Sequence, residues 1–133
     1  IGDALMAVFG IPIPSSEDAR NAIETALDML DALRELNKNK PPEHRFEIRI
    51  GINTGQIISG DIGSLTRMDY TAIGDTVNVA SRLESQVASP MQIAAGERTY
   101  EICKNDFRFE DLGNCRVKGK LATVKAYRIL GRP

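Results

Sequence analysis

Apolar residues recur at intervals of three and four across Ser16–Asn37. Ala19, Ala22, Ile23, Ala26, Leu27, Leu30 and Leu33 fall on one face, which predicts an amphipathic helix. Ser15 or Ser16 is its expected cap, Glu17 and Asp18 suit the positive end of its dipole, and Pro41-Pro42 forbids continuation. The period then changes to two. Phe46, Ile48, Ile50 and Ile52 alternate with Glu47, Arg49, Gly51 and Asn53, the pattern of a half-buried strand. Thr54-Gly55 predicts a turn, and Gln56–Ile62 a returning strand.

Shorter signals fill the rest. Gly2-Asp3 has turn chemistry, Ala4–Phe9 reads as an apolar strand, and Gly10, Pro12 and Pro14 end it. Met68–Ile73 predicts a β-branched and aromatic strand, followed by a Gly74-Asp75 hinge and a helix that Asp75 caps. Met91–Ala95 predicts a strand, Gly96–Lys104 a short helix, and Phe107–Leu112 and Val124–Leu130 two further strands.

With 133 residues, 42% hydrophobic and 26% charged, the chain has the make-up of one soluble globular domain. A net charge of −1, with Lys and Arg spread along the sequence, gives no basic surface for nucleic acid or an anionic membrane. Cys103 and Cys115 lack metal-ligand spacing and fit a reduced, cytoplasmic chain. No apolar run reaches the roughly 20 residues that cross a bilayer, so no membrane insertion by this domain is expected. Ile1 is not an initiator, so the expectation is one domain over residues 1–133, cut short at its N-terminus and taken from a longer parent.

Four places carry candidate chemistry. Asn78 and Arg82 sit four apart and share a helix face, where an amide and a guanidinium suit an anionic group; an exposed Arg beside a polar neighbour is the plainer alternative. Lys118 and Lys120 bracket Gly119, a pattern that also fits a solvated turn. Asp3, on its residues alone, reads as turn chemistry. Gly51, Gly55, Gly60 and Gly63 form no phosphate loop, because no Gly-x-x-x-x-Gly-Lys-Ser/Thr occurs.

The segment MDYTAIGDTVNVASRLE (Met68–Glu84) resembles the signature of the class III nucleotidyl cyclases, the adenylyl and guanylyl cyclase catalytic domains. IGDALMAVFG, RIGINTGQIISGDIG and VKGK match further blocks in family order, so the resemblance covers essentially the whole chain. It implies an α+β, ferredoxin-like fold: a mostly antiparallel sheet with helices packed mainly on one side, here without the opening strand and helices. Loss of that central strand predicts either strand exchange between subunits or a preceding segment that completes the sheet.

The resemblance also assigns roles. Asp3 matches one of two carboxylates that hold two divalent cations, Mg²⁺ or Mn²⁺; the other, and the purine-reading lysine, fall before Ile1. Arg82 matches the residue that stabilises charge on the α-phosphate, Asn78 the one that orients the ribose, and Lys118 the one that reaches the terminal phosphates. Thr71 falls at the second purine-reading position and is most like a bacterial adenylyl subgroup. Gln56 stands where some relatives carry a phosphate-contacting Arg. The implied activity is conversion of ATP to cyclic AMP and pyrophosphate, in a homodimer with shared active sites and a regulatory domain in the parent chain. The 133-residue piece alone is expected to be nearly inactive. A guanylyl cyclase, or a non-catalytic nucleotide-binding or regulatory module of cyclase fold, is the alternative.

Overall fold

The computed structural model describes residues 3–57, 74–118 and 123–133. Helix α1 spans Asp18–Asn37 and buries Ala19, Ile23, Ala26, Leu27, Leu30 and Leu33, the face that the period of three and four predicts. Its start differs in detail. Glu17 occupies the cap position and makes no side-chain cap bond. Instead the Ser15 N–H donates to the Asp18 carboxylate at 2.9 Å, and the Glu17 N–H donates to the Ser15 hydroxyl at 3.0 Å. At the other end, the Asn37 amide donates to the Phe46 carbonyl at 2.8 Å, drawing the chain back toward the sheet after a short turn at Pro42–His44.

Among the described residues the sheet has four strands, β1 (Ile50–Ile52), β2 (Ile93–Gly96), β3 (Arg108–Cys115) and β4 (Val124–Gly131), in the order β1-β2-β4-β3. β1 and β2 run parallel, while β4 is antiparallel to both β2 and β3. β1 is shorter than the alternation predicts. Upstream of it, the Met91 N–H still donates to the Ile48 carbonyl at 2.7 Å, but Phe46 is half exposed and outside the ladder. Ala4–Phe9 forms no strand with any described neighbour, and Leu5 is 97% exposed. An apolar run makes a strand only when a ladder satisfies its backbone groups. Residues 58–73, which include most of the expected returning strand and the whole of Met68–Ile73, lie outside the described residues.

Both faces of the sheet are covered. Along β2, Ile93 and Ala95 pack into one cluster with α1, while Ala94 joins a second with Val79, Leu83 and Ala126. Helix α3 (Glu97–Cys103) shares the α1 face, contributing buried Cys103. Helix α2 (Asp75–Arg82) lies on the other and continues into a wider π-type turn, Leu83–Val87, closed by the Ala88 N–H on the Leu83 carbonyl at 2.8 Å. Gly74, not Asp75, is the α2 cap residue. Its φ of 107° and ψ of −173° belong to a region that only glycine enters cheaply, so Asp75 moves into the first turn.

The approach of α2 to the sheet depends on Gly51. A Cβ there would meet the Ala80 carbonyl oxygen, and the Glu84 nitrogen at 2.6 Å, both backbone atoms that cannot swing aside. Further along the sheet, Tyr100 stacks on Tyr127 with ring centroids 3.9 Å apart, and Phe109 meets Tyr100 edge-on at 5.0 Å. Arg132, just past β4, reaches Glu24 at 2.7 Å and Asp28 at 2.8 Å, tying the end of the sheet to α1. Burial pushes the Cys103 thiol above its ordinary pKa, which fits a packing residue rather than a nucleophile.

Gly51→Ala is expected to lower stability by about 1–3 kcal/mol, because a methyl group must displace helix backbone. Urea unfolding should show a lower midpoint at an unchanged slope. An unaltered midpoint would mean that α2 does not rest on β1 this closely.

Candidate active site

Val79 in α2 and Leu83 just past its end are the apolar anchors here, at 7% and 0% exposure. With those two buried, helix geometry turns Asn78 outward and leaves Arg82 half covered, one turn further along the same edge. Arg82 does not simply project into solvent. Its Nε donates to the Lys118 carbonyl at 2.7 Å, across 36 residues of sequence. The Lys118 N–H in turn donates to Gln86 Oε1 at 2.7 Å. Beside Lys118, Val117 is 1% exposed and fixes the strand end from which the lysine departs.

Arg82 and Lys118 therefore meet through the main chain, with Asn78 on the same helix. Among the described residues, neither cation has a carboxylate within ion-pair distance. Some other surface cations have carboxylate partners, among them Arg49 with Glu84 at 3.3 Å and Arg128 with Glu110 at 3.0 Å. A guanidinium and a lysine rooted beside it, neither with a carboxylate partner among the described residues, are chemically suited to an external anion. Among the described residues Arg82 commits Nε alone, and the N–H groups on Nη1 and Nη2 have the geometry to grip anionic oxygens.

The start of α2 is fixed by residues that periodicity does not single out. The Asn53 side-chain amide donates to the Thr76 carbonyl at 3.1 Å, and the Thr76 hydroxyl donates to the Gln56 carbonyl at 2.8 Å. Thr54 and the buried Thr99 share a hydroxyl hydrogen bond of 2.7 Å. The sequence carried one hint of this: Asn53 puts an amide at the end of an alternating strand, where its only partners are tertiary. Gln86 left a fainter hint, four residues past Arg82 and so near the same face.

The remaining expected site residues are not gathered here. Asp3 is exposed, and no hydrogen bond or ion pair joins it to Asn78, Arg82 or Lys118. Among the described residues no group of three or more His, Cys, Asp or Glu side chains could hold a metal ion. Thr71 lies outside the described residues. None of the described helices is long and apolar enough to cross a membrane.

Residues 1–131 match the family model described as the adenylate and guanylate cyclase catalytic domain. The chain is 33% identical over 135 residues to adenylate cyclase 1 of Rhizobium meliloti, covering 98% of this chain and 20% of that protein. Among solved structures it resembles the adenylyl cyclase CyaB from P. aeruginosa, with a TM-score of 0.81 and 35% identity over 94% of this chain and 66% of that one. It also resembles the guanylate cyclase domain of RhGC from Catenaria anguillulae in complex with GTP, with a TM-score of 0.77 and 31% identity over the same shares, 94% and 66%. The chain thus spans about a fifth of the curated relative and just under two thirds of either structure.

Asn53→Ala removes the amide that holds the first turn of α2 against β1. A loss of about 1–2 kcal/mol in unfolding free energy is expected, together with faster amide hydrogen exchange at the start of α2. Unchanged exchange there would show that the helix start is fixed by other contacts.

Proposed function

The chain belongs to the adenylate and guanylate cyclase catalytic-domain family, and from that premise we propose that its parent protein is an adenylyl cyclase, which turns ATP into cyclic AMP and pyrophosphate. The observation that carries the reading is the Arg82 Nε bond to the Lys118 carbonyl, which puts two cationic residues, neither with a carboxylate partner among the described residues, beside the α2 edge that also carries Asn78. That set suits a triphosphate.

In the reaction the ribose 3′-hydroxyl oxygen forms a bond to the α-phosphorus, the bond from that phosphorus to the bridging oxygen breaks, pyrophosphate leaves with that oxygen, and the hydroxyl proton passes to solvent water. The protein's task is positioning, and supplying positive charge where negative charge develops. Arg82 directs Nη1 and Nη2 to the α-phosphate oxygens, where charge grows in the transition state. Lys118 holds the terminal phosphates and so the leaving group. Asn78 hydrogen-bonds the ribose and keeps the attacking hydroxyl in line. The family resemblance assigns Thr71 to reading the purine, for which a hydroxyl can donate or accept.

The reading includes two divalent cations, Mg²⁺ or Mn²⁺, which supply Lewis-acid charge when bound. Asp3 is the one carboxylate of this chain assigned to them, and a carboxylate oxygen suits either ion. The described residues do not by themselves complete a metal site. We therefore assign the facing half of the site to a second copy, in a homodimer where Asp3 of one subunit faces the α2 edge of the other. A cytoplasmic setting and an attached regulatory domain complete the proposal.

Guanylyl cyclase is the second reading, favoured by the likeness to a structure in complex with GTP. A product assay on the native full-length protein separates them, using ATP and GTP, each with Mg²⁺ and Mn²⁺. Cyclic AMP from ATP is the expected product, and Arg82→Ala should lower turnover about 10²–10³-fold. Preferred formation of cyclic GMP would replace the purine assignment. No cyclic nucleotide from either substrate would leave a nucleotide-binding module.

A further inference from the structure

Lys118 is bound on both sides of its Cα. Its N–H belongs to the peptide unit that precedes the residue, and that unit is held by Gln86 Oε1 at 2.7 Å. Its carbonyl belongs to the peptide unit that follows, held by Arg82 Nε at 2.7 Å. Two planar units fixed on either side of one Cα leave its φ and ψ little freedom, so the direction of the Cα–Cβ bond is set. Both clamping groups come from one stretch of chain, Arg82 as the last residue of α2 and Gln86 in the π-type turn that follows. Val117, buried at 1% exposure, supplies the fixed point behind them.

We propose that Gln86 is a positioning residue for Lys118: by accepting the Lys118 N–H it aims the ammonium group at the terminal phosphates of bound nucleotide. The inference rests on the cyclase reading for the identity of that ligand. A lysine side chain has four rotatable bonds and a strongly hydrated head, so it locates a phosphate well only when its root is fixed. Arg82 cannot do this alone, because its bond fixes the following peptide unit and leaves the preceding one free to turn. Gln86 acts through the aim of Lys118 and is assigned no contact with substrate of its own, so its loss should fall mainly on phosphate affinity.

The test is a double-mutant cycle in the native full-length protein, pairing Gln86→Met, which keeps the side-chain length and removes the acceptor, with Lys118→Ala. Alone, Gln86→Met should raise the KM for ATP about three- to tenfold and change kcat less than twofold. In the Lys118→Ala background the same substitution should add nothing. An equal KM effect in both backgrounds, or no effect in either, overturns the proposal and reduces Gln86 to a surface contact. Calorimetric binding of inorganic pyrophosphate to the same four proteins is read in parallel and needs no turnover. If the wild type makes no cyclic nucleotide, the cyclase reading fails, while the pyrophosphate cycle still decides whether Gln86 acts through Lys118. Should Gln86→Met not fold, Gln86→Asn shortens the reach by one methylene and enters the same cycle.

Discussion

Helix α2 can occupy its place only because β1 presents no side chain beneath it. At Gly51 the helix backbone comes so near the strand that a single methyl group would collide with peptide atoms of Ala80 and Glu84. That contact sets the height and angle of α2, and the small apolar cluster of Val79, Leu83, Ala94 and Ala126 keeps it there. The distance from Arg82 to Lys118 follows from the same placement. A helix raised by a side chain at Gly51 would carry the guanidinium away from the carbonyl it now grips.

The sheet divides the labour. On the α1 side lies the larger core, with Ile23, Leu27, Leu30, Ile93 and Ile129 interdigitated and an Arg132 clamp closing over its edge. Large branched side chains there supply most of the buried apolar area. On the α2 side the core is slighter and several of its members are alanines, which lets helix and sheet lie close. The larger apolar core thus lies on one face of the sheet and the charged edge of α2 on the other. Substitutions that loosen the first face threaten the fold, whereas those on the second move charged groups without necessarily unfolding anything.

Long, strongly periodic stretches were legible in the sequence. α1 appears with the predicted buried face, and β3, β4 and α3 appear close to their expected positions, because burial and period coincide there. What escaped was tertiary. Ala4–Phe9 has strand composition but no described neighbour to pair with, so composition alone misleads. The α2 cap fell on Gly74 and not on Asp75, because the backbone enters the helix through a conformation that disfavours any Cβ. Asn78, Arg82 and Lys118 came from a family resemblance; spacing could relate the first two, but only the fold brings the Lys118 main chain to Arg82. Gln86 carried no motif at all, since its meaning lies in a main-chain group 32 residues away.

The aromatic stack between α3 and β4 has a spectroscopic consequence. The chain has no tryptophan and three tyrosines, and two of those, Tyr100 and Tyr127, lie face to face at 3.9 Å with an interplanar angle of 2°. Their ultraviolet transitions are therefore coupled, and near-ultraviolet dichroism of this protein is weighted toward that one pair. The signal reports whether α3 is seated on β4, on the side of the sheet away from the α2 edge. An optical melt would thus follow the scaffold and stay largely blind to motions of the charged groups opposite.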